Sequence, residues 1–129
     1  MDWKLELVII PVSDVDRAKE FYTQKVGFHA DHDQRVNEKI RFVQLTPPGS
    51  ACSIALGEGI VEGAPGSVKG LQVVVSDIHA AHAELVQRGV EVSDVQVLDW
   101  GSFVYFSDPD GNHWSVQQVP SRNTGATTG

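Results

Sequence analysis

The residues with the widest chemical reach in this chain are its five histidines and its single cysteine. His113 follows Asp108-Pro-Asp-Gly-Asn112 directly, and an imidazole titrates near neutrality, so it is the one catalytic candidate: a general base, or a hydrogen-bond donor to a bound molecule. The plain alternative is a histidine next to a turn, half in solvent. No Ser-His-Asp order supports it, and Asp99 or Glu58 could become its partner only through folding. His79 and His82 lie three apart in a predicted helix, where a metal pair would need further ligands, and are read as surface residues. His29 and His32 stand an odd number of positions apart on a predicted strand, which puts them on opposite faces of regular β-structure. Cys52 reads as a packed core residue rather than a nucleophile.

Bulk properties narrow the classes. The chain of 129 residues has a formal charge of -7 and a pI near 5.0, which argues against a nucleic-acid partner and favours a neutral or cationic small molecule. A single cysteine excludes an intramolecular disulfide and fits a reducing compartment. The first residues, Met1-Asp-Trp-Lys-Leu5, lack the basic and long apolar regions of a signal peptide, and no stretch approaches the ~20 apolar residues of a membrane span. A cytoplasmic protein without membrane contact is expected.

Stepping outward from His113, the 108–112 turn carries Pro109 at a position whose φ proline pre-sets and Gly111 where a left-handed conformation closes the turn. A weaker copy, Leu45-Thr-Pro-Pro-Gly-Ser50, places Gly49 62 residues earlier. Gly27 and Gly89, which end two predicted helices, are also 62 apart, and the helix-capping Asp14 and Asp77 are 63 apart. The chain thus reads as two copies of one unit.

In the first copy, strands are predicted over residues 5–12, 28–33, 40–45 and 51–56. A helix after Ser13-Asp14 has Val15, Ala18, Phe21, Tyr22 and Val26 on one face. In the second, strands are predicted over 71–75, 90–97, 100–107 and 113–119, with a helix after Ser76-Asp77 whose apolar face is Ile78, Ala81, Leu85 and Val86. The domain organisation is therefore 1–56, first βαβββ module; 57–69, glycine-rich linker; 70–119, second βαβββ module; and 120–129, a disordered tail, all within one structural domain. Trp3, ahead of the first strand, is a candidate for packing across a module or subunit boundary.

Val12-Ser-Asp14, Arg17-Ala18, Phe21-Tyr22 and Gly27-Phe28, with Asp108-Pro-Asp-Gly-Asn112 near the end, resemble the vicinal oxygen chelate superfamily, the glyoxalase, bleomycin-resistance and extradiol-dioxygenase group. The resemblance covers roughly residues 5–119. It implies an α+β fold in which two tandem βαβββ modules form a curved, partly open mixed β-barrel with helices outside, a ligand cavity, and a homodimer.

In the metal-dependent relatives, four His, Gln or Glu ligands come from the first and last strands of each module. The resemblance places the first-strand ligand seven residues before the capping Asp and the last-strand ligand four after the turn Gly. These counts land on Leu7 and Gly70, and on Ser53 and Ser115, none of which is a strong divalent-metal ligand. No metal and no cofactor are expected.

Strand parity gives the accompanying faces. With Leu7, Ser53, Gly70 and Ser115 pointing inward, the outward set is almost wholly apolar: Val8, Ile10, Val12, Cys52, Ile54, Leu56, Leu71, Val73, Val75, Trp114 and Val116. The inward set adds Leu5, Ile9, Ala51, Ala55, Gln72, Val74, His113 and Gln117, a mixed lining suited to a small-molecule pocket or to a filled barrel. The faces of Phe103, Tyr105 and Phe106 stay open, because a bulge near Gly101 would shift the parity. Trp100 is the candidate for a cavity mouth. The expected ligand-binding residues are Leu7, Ser53, Gln72, Trp100, His113, Ser115 and Gln117.

Two function classes follow: a metal-independent binding protein that sequesters a small, partly apolar molecule, or a metal-free lyase, isomerase or hydrolase on a small carbonyl compound with His113 as acid or base. A metal-dependent glyoxalase or dioxygenase comes third. Whether the chain is an enzyme at all is open at this level.

Overall fold

The structure, a computed structural model, describes residues 1–120. The expected disordered tail lies, beyond Pro120, outside the described residues. The eight strands of the described residues form two four-stranded mixed sheets with one strand order: β1-β4-β3-β2 and β5-β8-β7-β6. Their members are β1 (Leu7–Ile9), β2 (His29–Arg35), β3 (Arg41–Thr46) and β4 (Ser53–Glu58), then β5 (Leu71–Val74), β6 (Gln96–Leu98), β7 (Gly101–Ser107) and β8 (His113–Gln118). Helices α1 (Val15–Glu20) and α2 (Ile78–Gln87) follow the first strand of each set. The α+β class and the doubled βαβββ order are as the sequence implies.

The capping residues explain the repeat. Asp14 accepts a hydrogen bond from the Arg17 amide, and Asp77 accepts from the amides of His79 and Ala80. Each carboxylate thereby satisfies donors that the first helical turn leaves without partners. The first helix changes character after one and a half turns. Phe21–Val26 is π-helical, with the amides of Gly27 and Phe28 both donating to the Tyr22 carbonyl, and Tyr22 is completely buried. Val15 and Ala18 are buried with it, whereas Phe21 and Val26 are only half-buried. In α2 the buried ridge is Ile78 and Leu85; Val86, expected on that face, is 53% exposed.

Two compact units emerge, divided at Lys69/Gly70 except for one excursion of the chain. Unit 1 comprises Met1–Lys69 together with Ser107–His113; unit 2 comprises Gly70–Phe106 and, of the described residues, those from Trp114 to Pro120. The 108–112 turn, which the sequence presents as the second hairpin, is thus part of unit 1. Its side chains account for this. Asp110 accepts from the amide and hydroxyl of Ser13, at 3.1 and 2.6 Å. The buried Asp108 carboxylate accepts from the Tyr22 hydroxyl at 2.8 Å, the Asp110 and Asn112 amides, and the Asn112 side chain. Asn112, with no exposed surface, also donates to the Pro11 carbonyl and accepts from the Val68 amide. The Val12-Ser-Asp14 and Phe21-Tyr22 motifs and the Asp108-Pro-Asp-Gly-Asn112 motif are therefore two sides of one polar contact. Gly66 makes the approach possible: a Cβ there would stand 2.0 Å from the Asp110 carbonyl oxygen, at a φ of +82° that side-chain-bearing residues rarely adopt.

On the helix-facing side of the first sheet, Arg41 forms a bidentate pair with Asp33, at 2.9 and 3.0 Å, and reaches Asp16 of α1 at 2.9 Å; Lys19 of α1 also meets Asp33, at 2.8 Å. The hydrogen bonds from Arg41 and then Lys19 hold the Asp33 carboxyl well below the usual carboxylate range. The same bond to Asp33 pushes the Arg41 guanidinium above its ordinary value.

The predicted strand over 90–97 shrinks to Gln96–Leu98. Ser93 is the reason: its amide donates to the Tyr105 carbonyl, but its hydroxyl, not its carbonyl, takes the Tyr105 amide. The side chain thus replaces the backbone ladder there. Trp3, free to pack in principle, is 89% exposed.

Candidate functional site

In unit 1, the parallel pairing of β1 with β4 sets Leu7 directly opposite Ser53 and Ile9 opposite Ala55. Their neighbours Val8, Ile54 and Leu56 fall on the other face, where α1 packs against β4. Ser53 and Ala55 are 4% and 0% exposed. The Ser53 hydroxyl lies 2.6 Å from that of Thr46, which donates to the Asp31 carboxylate; His29 Nε2 stands 3.7 Å from the other Asp31 oxygen.

The placing of His29 and His32 corrects the parity argument. β2 carries a bulge between Ala30 and His32, so that His29 pairs with Thr46 and His32 with Gln44. Thr46 and Gln44 are two apart on β3 and share a face, and so then do both histidines. One extra residue in the strand reverses the alternation. Among the described residues, no group of three or more His, Cys, Asp or Glu stands in a metal-holding arrangement.

In unit 2, the register of β5 with β8 pairs Gln72 with Ser115 and Val74 with Gln117. This corrects the count that led to Gly70. Four residues separate β1 from the capping Asp14, but only two separate β5 from Asp77. Counting back seven therefore overshoots by two, and the position matching Leu7 is Gln72. Its carboxamide donates to Gln117 Oε1 at 2.9 Å, and Gln117 Nε2 donates to the Trp100 carbonyl at 3.0 Å. The corresponding positions thus hold an alkyl group and a hydroxyl in one unit, an amide and a hydroxyl in the other. That is poor donor chemistry for a divalent transition metal.

The open question of the β7 aromatics resolves through their rings. Phe106 stacks on Trp114 at 5.9 Å between centroids, while Phe103 and Tyr105 stack on each other at 6.0 Å with planes 3° apart. Trp114 and Ser115 alternate faces, as do Phe106 and Tyr105, so Phe103 and Tyr105 share the face of Gln72, Val74, Ser115 and Gln117. This face is open at β5, where Val74 is 63% exposed and Gln72 is exposed as well, and closes toward β7, where Phe103 is buried. Trp100, predicted within a strand, instead sits with Asp99 in the two-residue loop closed by the Leu98–Gly101 pair, and is 63% exposed.

His113 begins β8 at the end of the 108–112 turn. Its amide donates to the Val68 carbonyl at 2.8 Å, and its Nδ1 lies 3.5 Å from the Ser107 hydroxyl. Of the predicted site residues, the structure therefore brings together Leu7 with Ser53, and Gln72 with Ser115, Gln117 and the Trp100 backbone. The residues that sequence reasoning missed are Thr46 and Asp31, whose link to Ser53 depends on the bulge.

Comparison with known proteins gives this arrangement its family. Residues 4–116 match the Glyoxalase/Bleomycin resistance protein/Dioxygenase superfamily. The chain belongs to that superfamily. Among solved structures it is similar to TnmS3, an antibiotic binding protein from Streptomyces sp. CB03234, with 36% identity, a TM-score of 0.83, and coverage of 92% of this chain and 98% of the other. A glyoxalase/bleomycin resistance protein from the same organism is 37% identical with a TM-score of 0.78, over 89% of this chain and all of that one (100%). The uncharacterized protein YetH of Bacillus subtilis (strain 168) is 27% identical over 113 residues, 86% of this chain and 94% of its own length. No helix among the described residues is long and apolar enough to cross a membrane.

Proposed function

We propose that this superfamily member is a metal-independent binding protein of the resistance or sequestration type, cytoplasmic and homodimeric, that holds a small, partly apolar molecule. The observation that carries this reading is the face of unit 2 on which the buried Phe103 stacks on the half-buried Tyr105, while Gln72 and Val74 are exposed and Ser115 and Gln117 half-buried. An apolar floor with a few convergent polar groups is the usual composition of a small-molecule site. The 36% identity to an antibiotic binding protein supports the same class, and the charge of -7 favours a neutral or cationic ligand.

A thermal-shift screen of apolar and cationic small molecules tests the reading. A ligand present at about 100 times its Kd adds about 2.7 kcal/mol to stability, and Tyr105→Ala should weaken each hit about tenfold or more. Hits that bind wild type and Tyr105→Ala equally would move the site elsewhere. A catalytic alternative, with His113 as acid or base beside the Ser107 hydroxyl, requires turnover of a hit that His113→Ala abolishes while binding survives.

A further inference from the structure

Met1-Asp-Trp-Lys-Leu-Glu6 alternates apolar and charged residues without a break, the pattern of a strand with one face to bury. Among the described residues nothing covers that face: Met1, Trp3 and Leu5 are 107%, 89% and 70% exposed. The side chains of Asp2, Lys4 and Glu6 are exposed too, and among the described residues they meet no hydrogen-bonding or ionic partner. The segment leads straight into β1, and the Glu6 carbonyl accepts the Ser53 amide at 2.9 Å. β4 begins at Ser53, so residues 1–5 run past it with no strand beside them, and β1 is itself an edge of its sheet. An unpaired edge that carries an apolar face is a template for pairing with another chain.

The charges decide what fits. When two copies of the segment meet antiparallel about a two-fold axis, matching their faces allows only registers centred on a residue. Centring on Trp3 sets Asp2 opposite Lys4 of the partner subunit, twice by symmetry, with Met1 opposite Leu5 and the two indoles together; each such pair is favourable. Centring on Asp2 opposes two aspartates, and centring on Lys4 opposes two lysines and sets Asp2 against Glu6. Centring on Leu5 sets Asp2 against Val8, whose face of the sheet carries α1. We infer that residues 1–6 are a self-complementary docking strand, paired antiparallel about Trp3 with the same segment of a second copy of this chain. This deepens the homodimeric reading above and rests on it. Six residues a side fall short of the roughly 20–30 of a stable interface, so the strand pair strengthens and registers the dimer rather than creating it alone.

Crosslinking reads the register directly. In the full chain carrying Cys52→Ala, Trp3→Cys should give a disulfide-linked dimer under mild oxidation, because directly opposed Cα atoms stand about 4.5–5.5 Å apart. Lys4→Cys should not, since its two copies lie two steps out of line and beyond about 7 Å. Sedimentation velocity then weighs the charges. Lys4→Asp and Asp2→Lys should each weaken the dimer about tenfold, as two pairs turn from attraction to repulsion, and the double exchange should restore it. Asp2→Lys is the sharper single variant: it reduces the net charge of -7, so general repulsion alone would make it tighten the dimer. A wild-type dimer that ignores the exchanges, or that crosslinks no better through position 3 than through position 4, overturns the inference and leaves the homodimeric reading intact. A wild type that stays monomeric overturns both, and the thermal-shift screen then decides separately whether the binding reading stands.

Discussion

The two units share a strand order, an aspartate cap and helix-ending glycines, yet they place their polar groups in opposite ways. Unit 1 turns them inward. The Tyr22 hydroxyl, the Asp108 carboxylate and the Asn112 carboxamide satisfy one another in the interior, and Arg41, Asp33, Asp16 and Lys19 tie helix to sheet. Among the described residues, unit 2 shows no counterpart of the Asp108 contact around its own helix, and the hairpin turn that follows β7 packs in unit 1. Its amide chain, Gln72 to Gln117 to the Trp100 carbonyl, lies instead on an exposed face. A duplicated element is thus free to specialise: one copy carries the constraints of the fold, and the other keeps an accessible, chemically mixed surface.

The sharpest way to break this contrast is to remove a carboxylate from each unit. Asp108→Ala strips the partner from a buried phenol, a buried carboxamide and two backbone amides, and should cost about 3–5 kcal/mol. Asp77→Ala removes a helix cap from unit 2 that solvent can partly replace, and should cost about 1 kcal/mol. Urea denaturation of both variants measures the difference. Equal losses would mean that the buried contact in unit 1 is no more than another cap.

How much of this was legible in the sequence depends on the range of the signal. Asp14, Asp77, Gly27, Gly89 and the turn glycines act within a few residues, and their local chemistry fixes both the elements and the repeat. The partnership of Asp108 with Tyr22 spans 86 positions, so the sequence displays two motifs while the contact between them exists only in the fold. Counting failed where length changed silently. Two fewer residues between β5 and its cap moved the site position from Gly70 to Gln72, and a bulge at Asp31 turned both His29 and His32 to one face. Neither change leaves a mark in composition or periodicity, which is why Thr46 and Asp31 went unseen.

The ion-pair network adds an acid test confined to unit 1. With the folded-state pKa of Asp33 depressed by Arg41 and Lys19, the unfolded chain binds this proton first as the solution is acidified. The contribution is therefore complete above the ordinary carboxylate value of about 4 and declines as pH falls below it. Because these side chains are partly exposed, screening limits the contribution to about 1 kcal/mol. Asp33→Asn should lower stability by that amount at neutral pH and by less at pH 3, measured by denaturant titration at the two values. A difference that grows on acidification would contradict the assigned direction.

The smallest effect on folding is expected where the proposed effect on binding is large. Trp100 is 63% exposed in a two-residue loop, and the unit-2 amide chain reaches its backbone carbonyl rather than its ring. Trp100→Ala keeps that carbonyl and hence the Gln117 bond, so stability should change by no more than about 0.5 kcal/mol. If the ring borders the site as proposed, removing it should nevertheless weaken a thermal-shift hit several-fold, since a stacked aromatic contributes about 0.5–1.5 kcal/mol beyond its area. Calorimetric titration of the variant with the same hit separates the two quantities. A loss of stability without loss of affinity would make the indole a structural element and shift the recognition surface toward Phe103 and Tyr105 alone. A loss of affinity without loss of stability would mark unit 2 as the half of the molecule in which sequence can change for the ligand's sake without the fold noticing.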